Sequence, residues 1–500
     1  MKVPSLQQTL PDWRTAAAVA LAVTAFANAA LYIAHAGNPF VTSDGWYFVD
    51  AFLQKYYNGG VSLLDLYMKR PGGDHAQPIH KLLLLWNAET FDLDFVIEAY
   101  LGLGFAAVTW LLMLQIARQD RPEAGGATWS WLLAMVTAAA SLVSLNGGMA
   151  FNWSLVTLGY LGPLALVATA MAVWQAVMFR QWLPLLLLAP FVAFTLDNLA
   201  VISSISIALC LAMLASKHRE ASRKSIALAL AVVVGTVIAY RMASSYYLHA
   251  GMPEEPATHA LAVLAGFGWE RLLQMLLSLA ALSVADRATL QQNLPWFDER
   301  VHALIGLLVI AAHLWFWWRV LRDRWNRTVF VAAALMLFAY GGMAGIVLVR
   351  VPLFGPDYVF QQRYLMTYQL CIVALALLAA GSDWSRWRRP QRWSVALGLA
   401  LLLAMQYPLS QATWKAAPYV RAYANNQGRE IILLGVNPAA KLASCVPMLV
   451  ICQAPREEQM RSITLLRDHH LNAFSEQLLA RYSMQPLAAP PGPMELVSPP

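Results

Sequence analysis

The chain has 500 residues, of which 59% are hydrophobic and 13% charged, with a mean hydropathy of +0.51. Soluble proteins carry roughly 25% charged residues, so composition excludes an ordinary soluble fold and leaves a polytopic membrane protein. The net charge of +7 is met by a basic rim facing anionic headgroups and calls for no nucleic acid.

A helix needs about 20 apolar residues to cross a bilayer core, with a range of roughly 17 to 25. Runs of this kind stand at 15–34, 95–116, 128–145, 156–179, 183–196, 199–216, 225–242, 301–318, 328–349, 364–380 and 394–408. They predict an all-α polytopic protein of about eleven transmembrane helices. More spans, not a soluble domain, follow the first run, so it reads as a retained helix and not a cleaved signal. Run 183–196 is short, and Asp197-Asn198 joins it to the next, which predicts a tight turn between two helices.

The gaps between runs alternate in charge. Arg118 and Arg121, Arg180, Lys217 to Lys224, Arg319 to Arg327 and Arg386 to Arg392 fall in every second gap, in step with Lys2 and Arg14 at the start. The positive-inside tendency makes these gaps cytoplasmic. The gaps around Gly147 to Trp153 and at Asp197-Asn198 hold no Lys or Arg and belong outside. Parity then puts loops on both sides of 257–284 outside, so that apolar segment must lie in the interface or re-enter. The expected site is a bacterial inner membrane, with the N-terminus cytoplasmic and the C-terminus periplasmic.

This layout gives a membrane domain over 1–407, with outer loops at 35–94 and 243–300, an extracytoplasmic domain over 408–485 and a disordered Pro-rich end over 486–500. Strand-like runs at Glu430 to Val436 and Pro447 to Cys452, then a helical stretch from Glu457 to Ala480, predict that the tail is a small α/β domain. No internal repeat stands out, which weighs against inverted-repeat transporter folds. Cys210 and Cys371 lie in apolar runs and read as small buried hydrophobes. Cys445 and Cys452 lie in the outer tail, where a disulfide would close a short hairpin. No His or further Cys stands near them at ligand spacing for a metal.

Three segments are rich enough in functional groups to carry chemistry. Asp44, in Thr42-Ser43-Asp44-Gly45-Trp46-Tyr47-Phe48, sits at the mouth of the first span, where partial desolvation suits a general base. Trp46, Tyr47 and Phe48 are placed to stack on a sugar or an isoprenoid. The alternative is that Asp44 caps a helix through Trp46 to Tyr57, with an interfacial aromatic belt. Next, Lys69 to Lys81 gathers Asp74, His75 and Lys81 around Gly72-Gly73: the cations suit a phosphate, and Asp74 can orient His75 as a proton carrier. A plain solvated loop leading into a helix from Pro78 is the alternative.

Third, Arg363 heads an inward-running helix on the side opposite the Arg clusters, facing the wrong end of its dipole, and Arg350 ends the helix before it. An anion beside Arg363, such as a lipid-linked phosphate, accounts for that placement, and so does neutralisation by Asp357. Asp197-Asn198 is a fourth candidate, against a simple turn cap. Within the spans His313 is the clearest ionisable residue and reads as hydrogen-bonded packing; such scarcity weighs against ion-coupled transport.

The acid after the first span, the long first outer loop, the span number and the outer tail resemble the GT-C membrane glycosyltransferases. Ser43-Asp44-Gly45-Trp46, then Asp74-His75 with Pro78 and Lys81-Leu82-Leu83, are similar to bacterial multi-pass members of that superfamily, as are Arg363-Tyr364 and Leu466 to Phe474. The resemblance implies sugar transfer from a polyprenyl-phosphate donor to a glycan or glycolipid acceptor among the envelope lipids. Asp44 would deprotonate the acceptor, and Arg363 with Lys81 or His75 would meet the phosphate. Many members carry two adjacent acids, whereas Asp50 follows Asp44 by six residues, roughly 120° around a helix. No cofactor is therefore expected, and a shared divalent metal is not supported. A flippase of lipid-linked saccharides, or an envelope polysaccharide polymerase or ligase, is the competing expectation.

Overall fold

The computed structural model describes residues 13–68, 76–120, 128–217, 221–245, 257–384, 387–440, 451 and 454–483. In hydrocarbon a backbone N–H or C=O finds no water, so the apolar runs close their hydrogen bonds internally as helices. Among the described residues, nine helices are long and apolar enough to cross a membrane. Two shorter apolar helices, Trp129–Leu142 and Leu183–Thr195, fill the remaining predicted runs.

In chain order the elements used below are α1 (Trp13–Ala36), α2 (Pro78–Phe91), α3 (Phe95–Gln119), α4 (Thr128–Leu142), α5 (Leu161–Phe179), α6 (Leu183–Thr195), α7 (Asn198–Lys217) and α8 (Arg223–Ser245). They continue as α9 (Ala257–Gly266), α10 (Gly268–Leu282), α11 (Glu299–Arg322), α12 (Arg327–Gly345), α13 (Leu365–Gly381), α14 (Arg389–Val436), α15 (Arg456–Asp468) and α16 (Glu476–Arg481).

Small residues decide which helices lie inside. The span holding α13 is 89% buried, whereas that of α11 is 22% buried. Close approach at the centre relies on glycine: Gly342 faces Thr367, and Gly381 faces Thr328. The outer helices α1, α8 and α11 turn large apolar side chains outward, such as Leu31, Ile238 and Leu308, as lipid-facing helices must.

The two ends of the bundle differ. At one end the Arg-bearing gaps meet: Thr328 N–H donates to Asp120 at 2.7 Å, and Asn326 Nδ2 donates to the Gly381 carbonyl. There Arg319 also lies over the Trp387 ring, Arg327 over Phe179, and Trp13 packs edge-on to Trp129. The opposite end gathers the long loops. Asn146 bridges the Leu282 carbonyl and the Asp286 N–H, Gln362 reaches Asp286, and Thr413 donates to Leu145. The alternation read from the charges is therefore built into the packing.

Segment 257–284 forms α9 and α10, bent by 103° at Phe267-Gly268, where Gly268 adopts φ 75°. A positive φ is natural for glycine, which has no Cβ to clash. The tail departs from expectation. Glu430 to Val436 is not a strand but the last turns of α14, a single helix of 48 residues. At 1.5 Å per residue it measures roughly 70 Å, more than twice the ~30 Å hydrocarbon core. Its end buries Gln427, Gly428, Ile431, Ile432 and Leu434, a helical spacing that the short Ile-Ile-Leu-Leu run conceals. No strand occurs among the described residues, so the α/β tail is not supported. The stretch from Glu457 divides into α15 and α16. Pro447 to Val450, Cys445, Cys452 and 486–500 lie outside the described residues.

A Cβ on Gly102 in α3 would stand 2.4 Å from the Thr157 carbonyl oxygen. Gly102→Val should push α3 off the turn at 154–157 and cost about 1–3 kcal/mol, read as a lower Tm of the purified protein in detergent.

Candidate functional site

The first candidate segment is fastened by hydrogen bonds along its approach to Asp44. Asn38 N–H donates to Asn152 O at 3.3 Å, and its side-chain amide donates to Gln427 Oε1 at 2.7 Å. Gln427 in turn donates to Thr42 Oγ1. Val41 N–H donates to the Asn472 side-chain oxygen at 3.1 Å. Ser43 then takes φ 48°, a turn that few non-glycine residues adopt, and Asp44 follows, half-buried. A helical run continues to Tyr57, as expected, with a wider π turn over Phe48–Leu53. Asp44 stands at the start of this run, yet its carboxylate accepts no hydrogen bond from the turn. The helix-cap reading is not realised.

The neighbours of Asp44 have structural jobs. Trp46 is 2% exposed and packs in a core with Phe40, Val49 and Phe52, so its faces are closed to a sugar. Tyr47 stays half-exposed. Asp50 receives a two-pronged bond from Arg461, both arms 2.9 Å. Among the described residues no three His, Cys, Asp or Glu side chains gather as a metal-ligand set.

Lys81 does not face an open site either. Its ammonium is buried and donates to three carbonyls, those of Asp65, Leu66 and Met68, at 3.3, 2.7 and 2.5 Å. The Phe52 ring lies 5.5 Å away. Burial pushes its pKa down to about 7, against the opposing pull of Asp197 and Asp65. Lys81 thus ties the 63–68 turn to α2. Asp197 belongs to this joint too: with Asn198 it accepts from the Tyr240 hydroxyl, at a backbone φ of 55°. Asp74 and His75 lie outside the described residues.

Arg363 is placed differently. Its guanidinium donates to the Tyr358 hydroxyl and lies among three rings, Trp153 at 5.8 Å, Tyr358 at 5.5 Å and Tyr364 at 5.1 Å. Asp357 does not neutralise it; that carboxylate pairs with Arg271 at 2.8 Å. Two buried donors find no acceptor among the described residues here: Arg363 Nε and Trp153 Nε1. An unmet buried donor costs about 1–3 kcal/mol, and the same state recurs at the opposite end, at Arg319 Nε and Trp387 Nε1; what sets Arg363 apart is that no carboxylate pairs with it among the described residues, whereas Arg319 pairs with Asp323.

Asp44 and Arg363 belong to one end of the bundle. The link runs from Asn38 to Asn152, and the next residue, Trp153, lies against Arg363. Sequence reading missed Trp153, which stands in a gap noted only for its lack of Lys and Arg. Asn472, noted in the sequence only as part of the Leu466 to Phe474 resemblance and given no role there, is buried with its amide donating to the Pro39 and Leu93 carbonyls at 2.9 and 2.7 Å. A second omission is Asp94, which accepts from Arg481 and Tyr482. Glu98, one turn further on, is a buried carboxylate within a span and accepts from Asn87. The acid in Phe95-Val96-Ile97-Glu98 was the available signal. His313 corrects the packing expectation in detail: it lies against Tyr340, but its Nε2 makes no hydrogen bond among the described residues.

Asn472→Asp replaces two donors with acceptors facing carbonyls. It should lower stability by about 1–3 kcal/mol and open the chain near residue 41 to limited proteolysis, measured against wild type. Lys81→Met should expose 63–68 to the same protease while leaving residue 41 protected. No family model, no curated protein and no solved structure matches the chain.

Proposed function

We propose that this protein is a GT-C-type glycosyltransferase of the bacterial inner membrane. It moves a sugar from a polyprenyl-phosphate donor to an envelope glycan or glycolipid on the outer face. The observation that carries this reading is the corner at Arg363. There a guanidinium with no carboxylate partner among the described residues shares the site with Trp153, and each side chain holds one buried, unsatisfied donor. A phosphate oxygen is the acceptor that satisfies both charge and hydrogen bonding. The position suits a lipid-linked donor, whose tail stays in hydrocarbon while its head reaches the interface.

In this reading Asp44 Oδ takes the proton from the acceptor hydroxyl as that oxygen bonds to the anomeric carbon. The bond from that carbon to the phosphate oxygen breaks, and Arg363 stabilises the charge left on polyprenyl phosphate. Tyr47 is the aromatic left near Asp44 to contact a sugar. Lys81, Trp46 and Asp50 hold the frame. The resemblance in sequence supports the role of Asp44, and the shared end of the bundle supports its pairing with Arg363.

Purified protein incubated with polyprenyl-phosphate sugars should release free carrier. Asp44→Asn, correctly inserted, should lower the rate by about 10²- to 10⁴-fold; full activity would remove Asp44 as base. Arg363→Gln should weaken donor use by roughly 10- to 100-fold, seen in the donor KM or kcat/KM, and unchanged donor kinetics would remove it from the site. Movement of labelled lipid across liposomes without cleavage would replace this reading by a flippase. The orientation is tested by Asp44→Cys, whose thiol should react with an impermeant reagent added outside intact cells.

A further inference from the structure

Glu98, in the first turn of α3, is a carboxyl group that the proposed chemistry leaves unused. It is 1% exposed, and Asn87 and Asp94 beside it are enclosed at 0%. No cation offsets it among the described residues; its partners are neutral donors, Asn87 Nδ2 at 2.9 Å and the Ser154 hydroxyl. An ionisable group in an apolar helix is costly, and an aliphatic side chain would fill the space as well. Its partners therefore indicate what it holds.

Those partners lie on different elements. Asn87 belongs to α2, and its amide also donates to the Asp94 carbonyl at 3.1 Å. Ser154 begins the short turn Ser154–Thr157, directly after Trp153. Trp153 is a single extended residue, φ −124° and ψ 105°, between that turn and the turn Met149–Asn152. Such a residue takes its direction from whatever holds its two neighbours. On one side the Asn152 carbonyl accepts from Asn38 N–H at 3.3 Å; on the other, Glu98 holds Ser154. One helical turn further along α3, Gly102 lets the Thr157 carbonyl approach, so α3 lies along this turn at both its ends.

We infer that Glu98 is a positioning residue that sets the Trp153 indole beside Arg363. The carboxyl fixes Ser154, Ser154 fixes the direction in which Trp153 leaves the chain, and the ring then lies 5.8 Å from the guanidinium. Two carboxyl oxygens serve donors from two elements at once, which an aliphatic side chain cannot do. The inference rests on the donor site proposed above, because in that reading the phosphate binds at Arg363 and Trp153. It adds a link to α2, whose Lys81 ties down the 63–68 turn. Through Asn87 and Glu98 the first outer loop reaches the wall of the donor site.

Two measurements on the full-length protein test this. The first is hydrogen–deuterium exchange of the 149–157 segment, which needs no substrate. Glu98→Leu should raise exchange there about tenfold, while Glu98→Gln, which keeps an acceptor, should stay within about twofold of wild type. The second is steady-state kinetics with a polyprenyl-phosphate sugar. Glu98→Leu should raise the donor KM about tenfold with kcat within about twofold, and Glu98→Gln should restore the wild-type KM. Ser154→Ala removes the hydroxyl without touching α3 and should reproduce both effects, which covers a Glu98→Leu variant that fails to fold. Unchanged exchange at 149–157 in both Glu98→Leu and Ser154→Ala would overturn the inference. Exchange raised equally in α13 would also overturn it, as general loosening, and so would a fall in kcat at constant donor KM. If the wild type releases no carrier, the proposed reaction fails, and the exchange result alone decides whether Glu98 holds the Trp153 turn.

Discussion

The arrangement at the loop-rich end depends on one buried amide. Asn472 accepts from Val41 N–H, a residue 431 positions earlier, and donates to Pro39 and Leu93. Its backbone N–H also donates to the Asp92 carbonyl at 2.7 Å. A side-chain amide with both donors and its oxygen engaged fits only one backbone geometry, and an error leaves buried polar groups unpaired. The end of the chain therefore sets the path of residues 39–41, just before Ser43 turns and presents Asp44. Arg461 on Asp50 and Arg481 on Asp94 fasten the same joint at its edges. The first loop and the C-terminal helices are in this sense one unit, with a shared core of Phe40, Trp46, Ile431, Leu466 and Leu478.

Two cations near the same end are handled in opposite ways. Lys81 is buried and fully used, its three N–H bonds taken by carbonyls, so it serves as a fastener. Arg363 is held by ring faces and a tyrosine hydroxyl, which position a guanidinium without neutralising it. Rings hold the charge in a setting of low polarity and leave part of its hydrogen-bonding capacity open. A carboxylate partner would have consumed both. That difference separates a structural cation from one suited to a ligand, and sequence position alone gives no hint of it.

Much of the fold was legible because the bilayer imposes a period and a length. Apolar runs of sufficient size must be helices, and the Arg clusters alternate because the helices do. Parity led only to the expectation that 257–284 lies in the interface or re-enters; the 103° bend at Phe267-Gly268 is a finding of the structure. The tail was misread for a local reason. Ile431-Ile432-Leu433-Leu434 looks like a strand when taken alone, yet those residues complete a helix that begins at Arg389. Trp46 was assigned a face for a sugar because aromatic residues near an acid suit that role; only packing revealed that it is buried in one core with Phe40 and Phe52.

Taken alone, the chain determined its solvent, the approximate number of its apolar helices and the alternation of its two ends. Those properties depend on composition and on periodicities a few residues long. The tertiary structure decided which charged groups are spent and which are open: Lys81 on carbonyls, Asp50 on Arg461, Asp357 on Arg271, and Arg363 among rings. It also decided that the last described helices close over the first loop. These outcomes turn on contacts between residues as far as 433 positions apart, and no local pattern encodes which distant partner a buried polar group will find.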